Sequence, residues 1–213
     1  MLADRSSIKR MGTQTRERIV RRGAELLTEF SFSATSLGGL LQSAAVPKGS
    51  FYHFFPSKQA FALAVIAYYD AYFEARSARI LRDPAVPPLD RLQAWMAAAR
   101  KGMARHGWRR GCLIGNLSQE LGPHDAVLRD QLRAVFRKWE GWIETLLQEA
   151  RDDGSIAAAA NPKQLAQLFW IGWEGAILRA KVERSGQPLD AFAAYFLQSI
   201  PRLPAREKAK EVS

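Results

Sequence analysis

Cys112 is the only cysteine of the chain, and it stands in the run Arg109-Arg110-Gly111-Cys112-Leu113. A helix start and two neighbouring guanidinium groups both favour the thiolate, the form that attacks soft electrophiles. A lone cysteine is equally a small apolar core residue, so an inert Cys112 stands beside the reactive one. His53, His106 and His124 are scattered, and with one cysteine they offer neither metal-ligand spacing nor a nucleophile, base and orienting group in sequence. No metal, no cofactor and no catalysis are expected. The other chemically equipped run is Pro47-Lys48-Gly49-Ser50-Phe51-Tyr52-His53-Phe54-Phe55. If Phe51 and Phe54 turn inward, Lys48, Ser50, Tyr52 and His53 form an outer face of donors, hydroxyls and positive charge. Such a face suits phosphates and base edges.

The charge pattern points the same way. Lys and Arg number 31 against 21 Asp and Glu, a net +10 over 213 residues, which favours an anionic partner. Residues 1–58 hold nine basic and four acidic side chains, and 91–119 hold six basic and none acidic. Residues 59–90 and 120–213 together are nearly neutral, so the excess lies in two blocks. With 47% hydrophobic residues the chain can build a core, which excludes disordered, collagen-like and disulfide-scaffold classes. Met1-Leu2-Ala3-Asp4-Arg5 leads into no apolar leader segment. The apolar windows 61–73 and 165–178 carry Asp70 and Glu174 and fall short of the roughly 18–20 residues of a membrane span. A soluble cytoplasmic protein without membrane partners is expected.

The elements that must position these residues are helical. In Thr15–Phe30, Ile19, Val20, Gly23, Ala24, Leu27 and Phe30 recur three and four apart while charged residues fill the other face. Thr35 or Ser36 caps a short second helix carrying Leu37, Leu40, Leu41 and Ala44. Pro47 opens a very short third helix to Phe54, and Ser57 caps a fourth running from Lys58 to about Leu81. Further helices are expected at about 89–106, 112–121, 125–152, 162–184 and 188–200, bounded by Gly and Pro. No segment alternates as a half-buried strand does, so the fold class is all-α with nine helices.

A short helix, a tight turn and a second short helix match what a major groove about 12 Å wide admits. The run Ala44-Ala45-Val46-Pro47-Lys48-Gly49-Ser50-Phe51-Tyr52-His53-Phe54-Phe55-Pro56-Ser57-Lys58 resembles the recognition segment of the TetR family of bacterial repressors. The resemblance implies a helix-turn-helix domain over 1–58, an effector-binding and dimerisation domain over 59–200, and a charged tail over 201–213. It implies that Lys48, Gly49, Ser50, Tyr52 and His53 face a palindromic double-stranded operator. Thr35 and Lys58, at helix starts, would take phosphate. Many members carry Gly where Ala45 stands, and a positive φ there strains Ala by about 1 kcal/mol.

Two further runs, residues 111–120 and 169–181, are similar to a TetR subgroup that contains acrylate-responsive repressors. They are less closely similar to electrophile- and hypochlorite-sensing repressors. That likeness implies a sensor or effector site drawn from Cys112, Asn116, Trp170, Trp173, Glu174 and Lys181. A basic residue such as Arg109 or Arg179 would hold a carboxylate. It implies a repressor that releases DNA when it meets a small effector, such as an α,β-unsaturated acid or aldehyde. The alternative is an efflux or unrelated catabolic repressor with a reversible aromatic-pocket ligand and an inert Cys112. Trp95, Trp108, Trp139, Trp142, Trp170 and Trp173 line such a cavity or form plain core, and the basic 100–110 segment touches phosphate, braces the first helix or attracts the effector. Leu168, Gly172, Gly175, Ala176, Phe192, Tyr195 and Phe196 of the last two helices are expected at a homodimer interface.

Overall fold

The computed structural model describes residues 5–202. Nine α-helices and no strand occur among them: α1 Arg5–Glu29, α2 Leu37–Ser43, α3 Phe51–Phe54, α4 Lys58–Leu81, α5 Pro88–Arg105, α6 Leu113–Glu120, α7 Ala126–Asp152, α8 Pro162–Glu183 and α9 Gln187–Ser199. A 3-10 turn, Lys48–Ser50, leads into α3. The expected tail lies outside the described residues apart from Pro201 and Arg202.

The caps follow from short polar side chains placed at extended backbone. Ser36, Ser57, Asp125 and Asn161 each accept the amide three residues on, at Gly39, Ala60, Leu128 and Gln164. One orphan donor per helix is thereby satisfied. The choice between Thr35 and Ser36 falls to Ser36. The amide of Thr35 goes to the carbonyls of Ser31 and Phe32, and its hydroxyl donates to Ser31 at 2.8 Å. Its backbone N–H is therefore already engaged, which corrects the expectation that it takes phosphate. Helix α1 starts ten residues before the expected Thr15, because Arg5–Gln14 contains no Pro to stop a helix once its later turns are packed.

In the N-terminal part, α1 packs on α2 and along α4. Ile19, Val20, Ala24 and Leu27 meet Leu40, Leu41, Val46, Phe51, Phe55 and Phe61 in one core. Phe55, not the expected Phe54, is the second aromatic plug: it is buried against Phe51 and Phe61 with ring centroids 5.4 and 5.2 Å apart, while Phe54 is half-buried. Phe55 lies past the end of α3 on extended backbone, so helical spacing does not select it.

Helices α4, α5, α7, α8 and α9 form the larger body. Its centre is aromatic: Phe73 lies 4.4 Å from Trp139, Trp139 5.1 Å from Trp170, and Trp95 5.7 Å from Trp173 between ring centroids. Buried Arg91 ties α5 to the Leu81 carbonyl (2.8 Å) and to Glu149 on α7. No described helix is long and apolar enough to cross a membrane.

Candidate functional site

The turn between α2 and the 3-10 segment is built on Ala45, whose φ of 52° is left-handed. Val46 then turns inward and its amide returns to the Leu41 carbonyl at 2.9 Å. The chain beyond presents Lys48, Gly49, Tyr52 and His53 exposed and Ser50 half-buried. Tyr52 is 66% exposed although its ring leans edge-on against Phe51 at 5.3 Å. Space around Gly49 is open enough to admit a backbone from outside. Lys58 is exposed at the first turn of α4, where helix amides and its ammonium both suit an anion. Neither Lys48 nor Lys58 makes an ion pair among the described residues, so both charges are available.

The second site is a cavity of about 450 Å³ between α1, α4, α5, α8 and the start of α6. One face of α4 contributes Tyr69, Tyr72, Phe73, Arg76 and Ser77, and α8 contributes Trp170, Trp173, Glu174 and Ile177. Gly111 and Cys112 close it beside Arg110, with Arg21 and Glu25 from α1 and Arg105 and His106 from the end of α5 at the rim. Of the six tryptophans only Trp95, Trp170 and Trp173 line it. Trp139 is fully buried core, Trp142 packs on Phe73 away from the cavity, and Trp108 lies against Arg100 at 5.7 Å.

Cys112 is buried at the N-cap of α6, its sulfur accepting the Gly115 amide at 3.5 Å. Burial pushes the thiol well above its ordinary range, and the Glu174 carboxylate facing it pushes further. The helix-start amides act in the opposite sense and are outweighed. Of the two readings of Cys112, burial favours the protonated thiol, and Arg109 and Arg110 turn away from it to Glu29, at 3.2 and 3.5 Å. Burial likewise raises the Glu174 carboxyl from 4.5 to about 7 and lifts the Tyr69 phenol beside Cys112 well above 10. Lys181, a candidate of the sensor site, packs against Gly111; a Cβ on that glycine would lie 2.7 Å from the lysine Cδ. Burial lowers the pKa of Lys181, and Glu29 and Cys112 partly offset this.

Three expected effector residues stand elsewhere. Arg109 points at Glu29 and does not line the cavity. Arg179 is exposed and held by Glu183 one turn on, at 2.7 Å. Asn116 donates to the carbonyls of Leu27 and Thr28 at 2.9 and 3.3 Å, at the end of α1. The basic loop therefore braces the first helix, and the positive groups at the cavity are Arg21, Arg76, Arg105 and Arg110. Arg76 was readable from its position one turn beyond Tyr72 and two beyond Tyr69 on α4. Glu120 was not readable: its carboxylate accepts the amides of Phe32 and Ser33 at 2.6 and 2.7 Å, 87 or 88 residues away in sequence.

The proposed interface residues divide in two. Leu168, Gly175 and Tyr195 are exposed, in line with Ile171, Leu178 and Val182 along α8. Gly172, Ala176, Phe192 and Phe196 face inward: Phe192 seats on Gly172, and Ala176 and Phe196 are buried within the protomer. The small residues at 172 and 176 serve close packing of α8 on its own neighbours.

Residues 19–65 match the family described as bacterial regulatory proteins, tetR family, and residues 88–196 match the tetracyclin repressor-like C-terminal domain. The chain is 45% identical to the transcriptional regulator AcuR of Cereibacter sphaeroides over 84% of this chain and 81% of that one. It is 34% identical to the transcriptional repressor DhaR of a Mycobacterium species, covering 94% and 98%. It is 32% identical to the repressor NemR of Escherichia coli, covering 90% and 96%. Among solved structures, a regulatory protein TetR from Rhodobacter sphaeroides superposes with a TM-score of 0.83 at 43% identity, covering 86% and 97%. Reduced NemR of Escherichia coli gives 0.78 at 31%, covering 89% and 100%. A groove-sized helix-turn-helix joined to a helical body with its own cavity, matched over most of its length by repressors, makes this chain a DNA-binding transcriptional regulator rather than an enzyme, and it belongs to the TetR family.

Proposed function

We propose that this protein is a dimeric repressor whose operator affinity is gated by a small effector in the cavity beside Cys112. In this reading residues 1–58 bind DNA and residues 59–200 bind effector and partner. The two recognition segments of a dimer enter successive major grooves of a palindromic operator, about 34 Å apart. Lys48, Tyr52, His53 and Lys58 contact phosphates and Ser50 a base edge, with Gly49 letting the backbone approach. The effector is a small α,β-unsaturated acid or aldehyde, the class to which acrylate belongs. The buried protonated thiol favours reversible binding over covalent capture, because the thiol is a far weaker nucleophile than the thiolate.

The observation that carries this reading is the joint between cavity and DNA-binding helices. Gly111, in the cavity wall, donates its amide to the Thr28 carbonyl at 2.9 Å, and Asn116 and Glu120 of α6 bind the end of α1 and the loop after it. A ligand that moves Gly111 and Cys112 moves α1 and, through its core, the recognition segment. The required differential affinity of a few kcal/mol is within reach of such a joint.

The test uses a duplex selected by the ligand-free protein from a randomised pool. Acrylate is expected to release the wild type and Cys112→Ser at concentrations within a few-fold of each other. Release abolished in Cys112→Ser, with a mass adduct on the wild type, would replace the reversible reading by a covalent one. Lys48→Ala and Tyr52→Phe are expected to weaken operator binding while leaving acrylate affinity, measured without DNA, unchanged. A loss of acrylate binding in Lys48→Ala would sink the division between the two sites.

A further inference from the structure

Two buried polar atoms in the cavity have no hydrogen-bond partner among the described residues: Trp170 Nε1 and Glu174 Oε1. They stand one helical turn apart on α8, a spacing that sets neighbouring side chains about 6 Å apart at Cβ. The groups around them are apolar or already engaged. Trp95 Nε1 donates to Ser77 at 3.0 Å, and the Tyr69 phenol is engaged by the Leu113 backbone and Cys112. The Cys112 thiol, whose sulfur accepts the Gly115 amide, pairs with the Glu174 carboxyl but leaves Oε1 without a partner. The other carboxylate oxygen, Oε2, lies over Gly115, where any Cβ would overlap it. A glycine at 115 is thus what lets a carboxyl enter this otherwise aromatic floor.

The two orphans demand different things of a ligand. An indole N–H only donates, so the head group must carry an acceptor. Glu174 when ionised only accepts, so the same head group must also supply a donor or arrive with a proton. An ionised carboxylate alone fails the second requirement, since two carboxylates cannot share a dry site without a proton between them. We propose that Trp170 and Glu174 form a head-group site that takes a small carboxylic acid together with one proton held between its carboxyl and Glu174, and takes the matching primary amide without one. The proton comes from solvent, and no bond to carbon is made or broken. The assignment rests on the reading of this cavity as the effector site and narrows the class of effector.

The surrounding charges leave the titration to Glu174. From α4, Tyr69 is held protonated by burial and Arg76 lines the same wall; from the start of α6, Cys112 is held protonated. At the rim, burial and Arg110 hold His106 of α5 below its ordinary range. Arg21 and Glu25 of α1, Arg105 and Arg110 also face the cavity from its rim, and Lys181 of α8 stands behind Gly111 outside the lining. The carboxyl of Glu174 itself changes charge at about 7. The rim arginines raise the local concentration of an anion, and the buried pair chooses its head group.

Propionate and propionamide test this without an alkene that sulfur might attack. Each is titrated calorimetrically into the full-length protein at about pH 6, 7 and 8, in two buffers of different ionisation enthalpy, which counts protons taken up. Propionate is expected to take up close to one proton at the upper pH and to lose about tenfold in affinity per pH unit above 7. Propionamide should take up none at any of these pH values and hold its affinity within about twofold between pH 7 and 8, where Glu174 is half or more ionised already. Glu174→Gln is expected to abolish the uptake, and Trp170→Phe to weaken both ligands by about fivefold through the lost donor. Propionate binding without proton uptake, or no binding of either ligand to the wild type, overturns the assignment. The wild-type proton count decides the matter even if a variant fails to fold. Binding as expected without release of operator by acrylate would instead overturn the gating reading and leave the head-group site standing.

Discussion

Ala45 holds a left-handed φ of 52° with its side chain exposed, so it pays conformational strain and gains no burial in return. Replacing it by Gly removes the clash of Cβ with the backbone at the cost of some unfolded-state entropy. Ala45→Gly is expected to raise stability by about 0.5–1 kcal/mol in urea denaturation without altering operator contacts. A destabilisation of that size would mean the turn is held otherwise. This position was readable from the recognition motif alone, because its strain is local. The state of Cys112 was not, since Glu29, which draws off Arg109 and Arg110, and Glu174, which faces the sulfur, are remote in sequence. Glu174 carries its own consequence for stability. Its folded pKa of about 7 lies above the ordinary 4.5, so the unfolded state releases its proton first as pH rises. Stability from this group is whole below about 4.5, declines up to about 7 and is flat beyond. Comparing thermal unfolding of Glu174→Gln with wild type across that window should show the variant gaining a few kcal/mol, roughly 3, as pH rises. A constant difference would show the carboxyl to be solvated.

Helix α6 is short, yet both its ends reach the DNA-binding part. Asn116 near its start and Glu120 at its end bind the last turn of α1 and the loop beyond, and Gly111 just before it adds a backbone link. Helix α6 also shares the Cys112 cap with the cavity wall. In the proposed gating it is therefore the element through which ligand and DNA sites would exchange free energy. Asn116→Ala is expected to leave acrylate affinity unchanged and to lower the effector-induced drop in operator affinity by about five- to tenfold, as loss of about 1 kcal/mol of coupling would. Operator titrations with and without acrylate measure it, and an unchanged ratio would take α6 out of the path. The helix itself was readable from Gly111 and Gly122-Pro123 at its ends. Its partners were not, because periodicity shows which face is apolar but not which distant backbone a polar side chain will meet. The same limit explains Gly172: small-residue spacing on α8 announced a close approach, and the approaching group proved to be Phe192 of the same chain.

For the molecule as a whole, the two basic blocks divide between inward and outward use. In the second block, Arg91, Arg100, Arg109 and Arg110 are paired with Glu149, Asp190 and Glu29, so much of its charge holds helices together. The first block leaves Lys48, His53 and Lys58 outward beside the exposed Tyr52, where charge serves a partner. The proposed repressor of two half-sites also needs a second protomer, and the exposed apolar stripe of α8 is the surface proposed for it. Leu168, Ile171, Gly175, Leu178 and Val182 recur at alternating steps of three and four, the seam of two helices packed side by side, and Tyr195 of α9 extends it. Ile171 and Val182 are 71% and 74% exposed in the single chain, an unusual posture for β-branched apolar residues along a folded helix. Placing a charge in the middle of that seam buries it unpaired if the dimer forms and costs nothing if the chain stays single. Ile171→Asp is thus expected to sediment as a folded monomer with an unchanged helical spectrum. Its operator affinity should fall by at least about a hundredfold, since one half-site must then be held without the other. Its affinity for acrylate should persist, because the cavity is built within one protomer. Sedimentation as a dimer would move the interface off this stripe, and undiminished operator binding by a monomer would remove the twofold arrangement from the mechanism.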